Sequence, residues 1–529
     1  MAVAAPLVPS RRGGYGAPLL VFVVAAAVSF GTLLVAGINR ADEAWNLHLI
    51  QRMLDGDALY RDVRYYPTPL AMFAGAAVAS VLGVKLVVLK GLVAASFGVT
   101  AVASLAIVRR LGAGRRGQLL LVVLLLLFAL PPASSLYNTL AIALASTTAL
   151  LALRWDAALD AAPGPARTRR LFGRAAATGL AAGACLLTKY NVGAAVALAV
   201  AACMAVAAVQ RRATIREAGS SVATAAGAVL LTFLAGMVPV LVQGAGPSFV
   251  DQLLEGRSLL GATVPYDEGW RNLVDGVGRL AAPDMRTFAA FALLPAAGVI
   301  GLLAALRARG ADRGRLLALM VFSLAAAVLA VPRADHVTWV APVPLTLLVA
   351  SASHLARPAF RTFPRAAAGG QALCVGFALM WLVLASVGEV RAARDFRRVP
   401  GGPFAGALLA AGQWQEIDGA AKELRSRIGA DAKVLILSQE AGLLYMAGGM
   451  RNPTPYDYPD AFEFGAGGLA RVKAALVNYT INYTCISRRY GPGLEPVRVI
   501  AAVQARSRLV ARLRACELWV TSPTGQPRA

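Results

Sequence analysis

The sequence predicts a polytopic α-helical membrane protein of about eleven transmembrane helices, followed by a small external α/β domain. Three observations predict it. The 529 residues are 58% hydrophobic and only 15% charged, with a mean hydropathy of +0.62, above the range of ordinary soluble chains. Apolar runs of spanning or near-spanning length recur through residues 1–388. Residues 389–529 lose that pattern and read as alternating strand-like and helix-like stretches.

The apolar runs lie at about 17–37, 85–108, 118–132, 139–153, 175–188, 192–209, 221–243, 287–306, 316–331, 337–355 and 367–388. Several are shorter than the ~20 residues that cross a bilayer at right angles, so their ends extend into polar stretches such as "PPASSLYN". The first run, Ala17 to Gly37, is long enough to span and lacks a small-residue cleavage site, so it reads as a membrane helix rather than a signal peptide. The net charge of +24 comes from arginines in short clusters between apolar runs. That is the pattern of cytoplasmic loops, and no nucleic-acid partner is expected.

A further run, "PLAMFAGAAVASVLG" (69–83), decides the orientation, because crossing there would invert every later loop. Without a crossing, the cytoplasmic side receives Arg11/Arg12 and the stretches 109–116, 154–174, 210–217, 307–315 and 357–365, which together hold 21 Lys and Arg. The short loops of the other side hold about half as many, with a surplus of acids. Residues 69–83 are therefore expected to form an interfacial or re-entrant helix. The amino terminus is then cytoplasmic. The loop 38–84, the loop 244–286 and everything after about 389 are external.

The chain divides into a membrane domain, 1–388, and an extracytoplasmic domain, 389–529. In the latter, "AKVLILS" (432–438) reads as a buried strand, "EAGLLYMAGG" as a helix, "RNPTPYDYPD" as turns, and "YTCIS" and "CELWV" as late strands. Cys185, Cys203 and Cys374 lie in apolar runs and read as packing residues; Cys485 and Cys516 could pair if the tail is outside the cytoplasm. The sequons at Asn478 and Asn482 are read as incidental, since the alanine and arginine bias suggests a GC-rich bacterial genome.

The most informative stretch is "NRADEAWNLHLIQRMLDGD" (39–57). On a helical wheel, residues 43–55 place Leu47, Ile50, Met53 and Leu54 on one side and Trp45, His48, Arg52 and Asp55 on the other, with Gly56 as a stop. This predicts an amphipathic helix lying in the membrane interface, its polar face, His48 included, toward water. Asp42 is placed as its N-cap and Glu43 in the first turn, where the helix dipole favours acids.

The order "ADEAWNLHLIQRMLDGDALYRDVRYYPTPLAMFAGAAVASVLGVK" resembles the first external loop of GT-C membrane glycosyltransferases, the superfamily of protein O-mannosyltransferases and lipid A aminoarabinose transferases. The shared elements are the acids Asp42-Glu43 after the first span, an interfacial helix, "GDALYRD" (56–62), and the proline-bearing "YYPTPLAMF" (65–73). "GLAAGACLLTKYNVG" (179–193) and "VPRADHVTWVAPVPL" (331–345) resemble the family's glycine-rich helix ending in lysine and its late "R-x-D-H" loop, and the tail resembles the extracytoplasmic domain many members append.

The resemblance implies a glycosyltransferase of the bacterial cell envelope, in the inner membrane. It would move a sugar from a polyprenyl-phosphate donor to a lipid, glycan or protein acceptor on the outer face, with inversion. Such a displacement needs a base for the acceptor hydroxyl and cations for the departing phosphate. Asp42 is the candidate base, and its cap position would fix the carboxylate on a rigid element. Glu43 either positions the acceptor, raises the pKa of its neighbour, or serves the helix dipole alone. Asp62 is a second acid or a turn residue. For the phosphate the candidates are Lys85, Lys189, Arg333 with His336, and Arg64; Lys85 could instead snorkel to headgroups, while Lys189, at membrane depth, demands a partner. His354, beside a cytoplasmic loop, is set aside. No cofactor is expected, although Asp42, Glu43 and Asp62 could hold a divalent cation through hard oxygens. The rival reading is a multi-spanning transporter or lipid flippase, disfavoured by the lack of repeated halves and by acids gathered at one face.

Overall fold

The computed structural model describes residues 16–40, 42–128, 135–263, 282–330, 336–362, 364–429, 432–458, 463–487 and 495–522. Each of the eleven apolar runs falls on a helix: α1 (Gly16–Val35), α4 (Leu86–Arg110), α5 (Arg115–Phe128), α6 (Leu136–Asp156), α7 (Pro165–Thr188), α8 (Tyr190–Val209), α9 (Ile215–Val242), α11 (Ala282–Arg307), α12 (Gly310–Ala327), α14 (Pro342–Thr362) and α15 (Pro364–Ala392). Shorter helices are α2 (Asp42–Leu54), α3 (Leu70–Leu82), α10 (Gly246–Thr263) and α13 (Val337–Val340). Among the described residues, eight helices are long and apolar enough to cross a membrane. Leucines and aromatics such as Leu231, Leu373 and Phe377 stand exposed on their outer faces, as a lipid-facing surface requires.

Small residues bring the bundle together. A Cβ at Gly183 would lie 2.7 Å from the Thr232 Cβ, and one at Gly179 would strike the Ala225 carbonyl. The "GLAAG" spacing is thus a close-packing seam between α7 and α9. α3 has 13 residues and is about 20 Å long, well short of the ~30 Å hydrocarbon thickness.

The two sets of loops separated by charge lie at two ends of the bundle. At one end Arg212 and Arg315 each pair with both Asp156 and Asp160, Arg167 pairs with Glu217, and Arg357 pairs with Asp312 while donating to the Leu111 carbonyl. At the other end the 38–84 loop meets α10 and the C-terminal domain: Arg64 pairs with Glu255, the Arg64 amide donates to the Pro455 carbonyl (2.9 Å), and Arg40 pairs with Glu440 (2.9 Å).

After a small hairpin of β1 (Phe396–Arg398) and β2 (Leu408–Ala410), the C-terminal region builds a four-stranded sheet in the order β3-β4-β6-β5. Its strands are β3 (Val434–Leu437), β4 (Tyr483–Ile486), β5 (Ser507–Arg512) and β6 (Glu517–Thr521), with β3 and β4 parallel and the remaining pairs antiparallel. The helices α16 (Gln413–Ile428), α17 (Ala441–Gly448), α18 (Gly465–Val477) and α19 (Val497–Arg506) accompany it. β3 is buried on both faces, which explains its unbroken apolar sequence. Cys485 and Cys516 form a disulfide.

One expectation is corrected. α2 does not lie on a membrane surface with a wet polar face. Its residues Glu43 to Ile50, and Arg52, are buried, because α17 covers the side that the wheel left to water. Gly442 permits this: a Cβ there would be 2.8 Å from the Ala44 backbone. His48 is accordingly buried, stacked on Tyr445 at 4.7 Å, with Nε2 3.1 Å from Asp457 Oδ1.

Candidate functional site

The site grows from the turn between α1 and α2. Asn39 accepts from the Asp42 amide through its side chain (3.0 Å), and its own amide donates to Glu43 Oε2 (3.0 Å), a reciprocal pair of bonds. Asn39 thus braces the start of α2 from outside the helix; Asp42 is the first residue of α2 rather than its N-cap, half-buried, with the helix dipole favouring its charge. The Asn46 amide donates to the Asp42 carbonyl (2.7 Å), which stiffens the same turn.

Glu43 turns away from Asp42's environment into the protein. Its Oε1 lies 3.0 Å from Lys90 Nζ, and Lys90 also donates to the Leu33 carbonyl (2.6 Å) and the Gly37 carbonyl (2.8 Å). One ammonium thus satisfies a carbonyl in the last turn of α1 and one just beyond it, joins α4 and anchors the first turn of α2. Burial pushes the Glu43 carboxyl above the ordinary range, against the pull of Lys90. Lys90 was missed in the sequence, where Lys85 drew attention. The available signal was a lysine inside an apolar helix, which needs a partner.

Lys189 is the single extended residue between α7 and α8. Its Nζ donates to Asn138 Oδ1 (2.6 Å) and sits 5.1 Å from the centre of the Tyr137 ring. The loop that carries Asp42 reaches this corner through two contacts. Thr68 donates to the Leu186 carbonyl (2.7 Å), and a Cβ at Gly75 of α3 would lie 2.6 Å from Ile50 and 3.6 Å from Leu136.

The remaining candidates are distributed. Asp62 accepts from the Ala58 amide (2.8 Å) and pairs with Arg61, which holds its carboxyl below the ordinary range; its carbonyl accepts from Arg52 in the last turn of α2. It closes a turn by the last turn of α2, whereas Asp42 stands at the start of that helix. Glu43 is held by Lys90 and Asp62 stands at the far end of the helix, so Asp42, Glu43 and Asp62 do not converge as a ligand set. Among the described residues no group of three His, Cys, Asp or Glu is placed to hold a metal ion. Arg64 is buried, donates to Tyr66 Oη (3.1 Å) and pairs with Glu255. With the bond from its amide to Pro455, these contacts tie three segments together, and Glu255 neutralises its charge. Lys85 is exposed at the start of α4. His336 starts α13, its Nδ1 3.3 Å from the Leu329 carbonyl and its ring edge-on to Trp339. Arg333 lies outside the described residues.

A second polar centre, unforeseen from sequence, joins α2 to the C-terminal domain. Asp457 is buried and takes Arg52 (2.7 Å), His48 (3.1 Å) and the Asn452 amide (2.8 Å). Burial would raise its pKa, but Arg52 and His48 outweigh it and hold the carboxyl low.

No family model matches the sequence, and no curated protein does. Solved structures do match over the whole fold. ArnT from Cupriavidus metallidurans bound to undecaprenyl phosphate superposes with a TM-score of 0.57 at 14% identity, covering 98% of this chain and 100% of that one. Its apo state gives 0.54 at 15%, over 97% and 99%. The archaeal oligosaccharyltransferase AglB from Archaeoglobus fulgidus, in complex with an inhibitory peptide and a dolichol-phosphate, gives 0.52 at 11%, over 89% of this chain and 69% of that one. At such identities the likeness shows the fold alone: this chain shares the overall architecture of ArnT and AglB.

Proposed function

We propose that the chain is a glycosyltransferase that moves a sugar from a polyprenyl-phosphate carrier to an acceptor hydroxyl on the outer face of a bacterial inner membrane. The observation that carries this reading is the placement of Asp42: a half-buried carboxylate in the first turn of a helix whose next residue is locked to Lys90. The full-length likeness to a fold seen with undecaprenyl phosphate supports it.

In this reading the acceptor oxygen attacks the anomeric carbon while Asp42 takes its proton, and the bond from that carbon to the phosphate oxygen breaks. A single displacement inverts the anomeric configuration. The departing polyprenyl phosphate carries the bond's electron pair, and Lys189, oriented by Asn138 and Tyr137, offsets its charge. Lys85 and His336 remain further candidates for the phosphate, together with Arg333; Arg64 acts as a strut. The amino terminus is cytoplasmic, residues 389–529 form an extracytoplasmic domain, and the acceptor is a lipid, glycan or protein.

The test supplies purified protein with radiolabelled polyprenyl-phosphate sugars and resolves the anomeric configuration of the product. Transfer with inversion is expected. A retained configuration would overturn the single-displacement mechanism, and no transfer from any donor, together with substrate-dependent flux in vesicles, would overturn the transferase reading itself.

A further inference from the structure

A cavity of about 350 Å³ opens in the C-terminal domain beside the turn that bears Asp42. Ser438 follows β3 and Ser487 follows β4, so its wall is the carboxyl ends of the two parallel strands. In α/β sheets that is where ligands bind, and the volume is within the range of small-molecule sites. The opposite wall comes from the membrane domain: Arg40, two residues before Asp42, lines the cavity and pairs with Glu440 across it. Leu443 forms part of the floor and packs in one apolar cluster with Ala44 and Leu47 of α2. A molecule held there is therefore carried by the same elements that hold Asp42.

The lining specifies the class of ligand. The lining holds two guanidiniums, Arg40 and Arg514, and two carboxylates, Glu416 and Glu440, so the cavity has no net charge to attract a polyanion. Guanidiniums donate, carboxylates accept, and serine hydroxyls do both, while Leu443 offers an apolar surface. That combination matches sugar rings, whose hydroxyls donate and accept and whose C–H faces are apolar. It does not match a polyprenyl chain or a bare phosphate. We propose that this cavity is an acceptor subsite that binds a neutral saccharide and presents its hydroxyl toward Asp42. The assignment of "acceptor" rests on the glycosyltransferase reading; the binding of saccharide does not.

The experiment uses the full-length protein in lipid nanodiscs and saturation-transfer NMR with three probes: neutral trisaccharides of glucose, mannose and N-acetylglucosamine. Transfer to at least one probe is expected in the wild type. It should fall at least fivefold in Gln439→Trp, which fills the cavity, and in Arg514→Glu, an exposed position where the change reverses the charge at the cavity and also gives up the pair with Glu423. It should be unchanged in Asp55→Asn, at an exposed position outside the cavity. Absence of transfer to all three probes, or equal transfer in wild type and both cavity variants, would overturn the subsite. If the saccharide binds as expected but Asp42→Asn turns over normally, the base assignment fails and the subsite stands. If Asp42→Asn is inactive and no saccharide binds, the subsite fails alone.

Discussion

Lys90 and Glu43, each no more than 2% exposed, form an ion pair 3.0 Å long between the second long helix of the bundle and the helix that begins with Asp42. Removing one partner of a buried pair leaves the other charge uncompensated, at a cost of about 3–5 kcal/mol, and here it also strips the Leu33 and Gly37 carbonyls of their donor. Lys90→Met is expected to lower the thermal midpoint sharply. The double variant Lys90→Met/Glu43→Gln should regain part of the loss, since it removes the orphaned charge. Equal midpoints for Lys90→Met and wild type in a detergent thermal-shift series would show that the pair does not hold the turn.

Lys189 carries the phosphate role in this account, and charge is what that role needs. Lys189→Met should reduce kcat/KM for the donor by on the order of 10²-fold, the scale of losing one electrostatic contact to a developing charge. Lys189→Arg should retain more activity than Lys189→Met. Steady-state kinetics at varied donor concentration decide it; parity between the two variants would mean that Lys189 acts only by packing.

Asp457 gives a pH dependence of known sign. Its folded pKa lies below the unfolded value, so its contribution to stability is complete above about pH 4 and lost as the pH falls through the folded value. Asp457→Asn should cost about 1–3 kcal/mol at neutral pH, because Arg52 and His48 lose the buried carboxylate and Arg52 keeps only its pair with the half-exposed Asp57. The variant's midpoint should also fall less steeply than that of the wild type below pH 4. Thermal unfolding from pH 3 to 7 checks both; parallel curves would contradict the assignment.

Orientation is open to chemical labelling. Asp55 is exposed just beyond α2, and Arg116 is exposed near the start of α5 at the Arg-rich end. With the exposed Cys374 replaced by alanine, Asp55→Cys should react with a membrane-impermeant maleimide on intact spheroplasts, and Arg116→Cys only after permeabilisation. The reverse pattern would invert the topology and place Asp42 on the cytoplasmic face.

Hydrophobic runs and arginine clusters made the bundle legible in the sequence, because a bilayer imposes length and charge rules on every helix independently of its neighbours. The strands β3, β4 and β6 were legible for a similar local reason. β5, "SRLVAR", was not: it is a half-exposed edge strand with Arg508, Val510 and Arg512 on its exposed face, a pattern without the apolar run that marks β3. The wheel for α2 found its apolar face but assigned the other to water, since nothing local to residues 43–55 announces that α17 will cover His48 and Arg52. The same limit hid Lys90 and Asp457. Each is a single charge whose partners lie far off in sequence, and only the fold brings them within hydrogen-bond reach.

In the proposed mechanism Asp42 removes the acceptor proton. Comparing transfer of labelled sugar by wild type and Asp42→Asn, with donor binding measured alongside, decides whether it does. Asparagine is isosteric and keeps the turn, so donor affinity should be unchanged while kcat falls by about 10²–10⁴-fold. Turnover within a factor of two of wild type would remove Asp42 as the base.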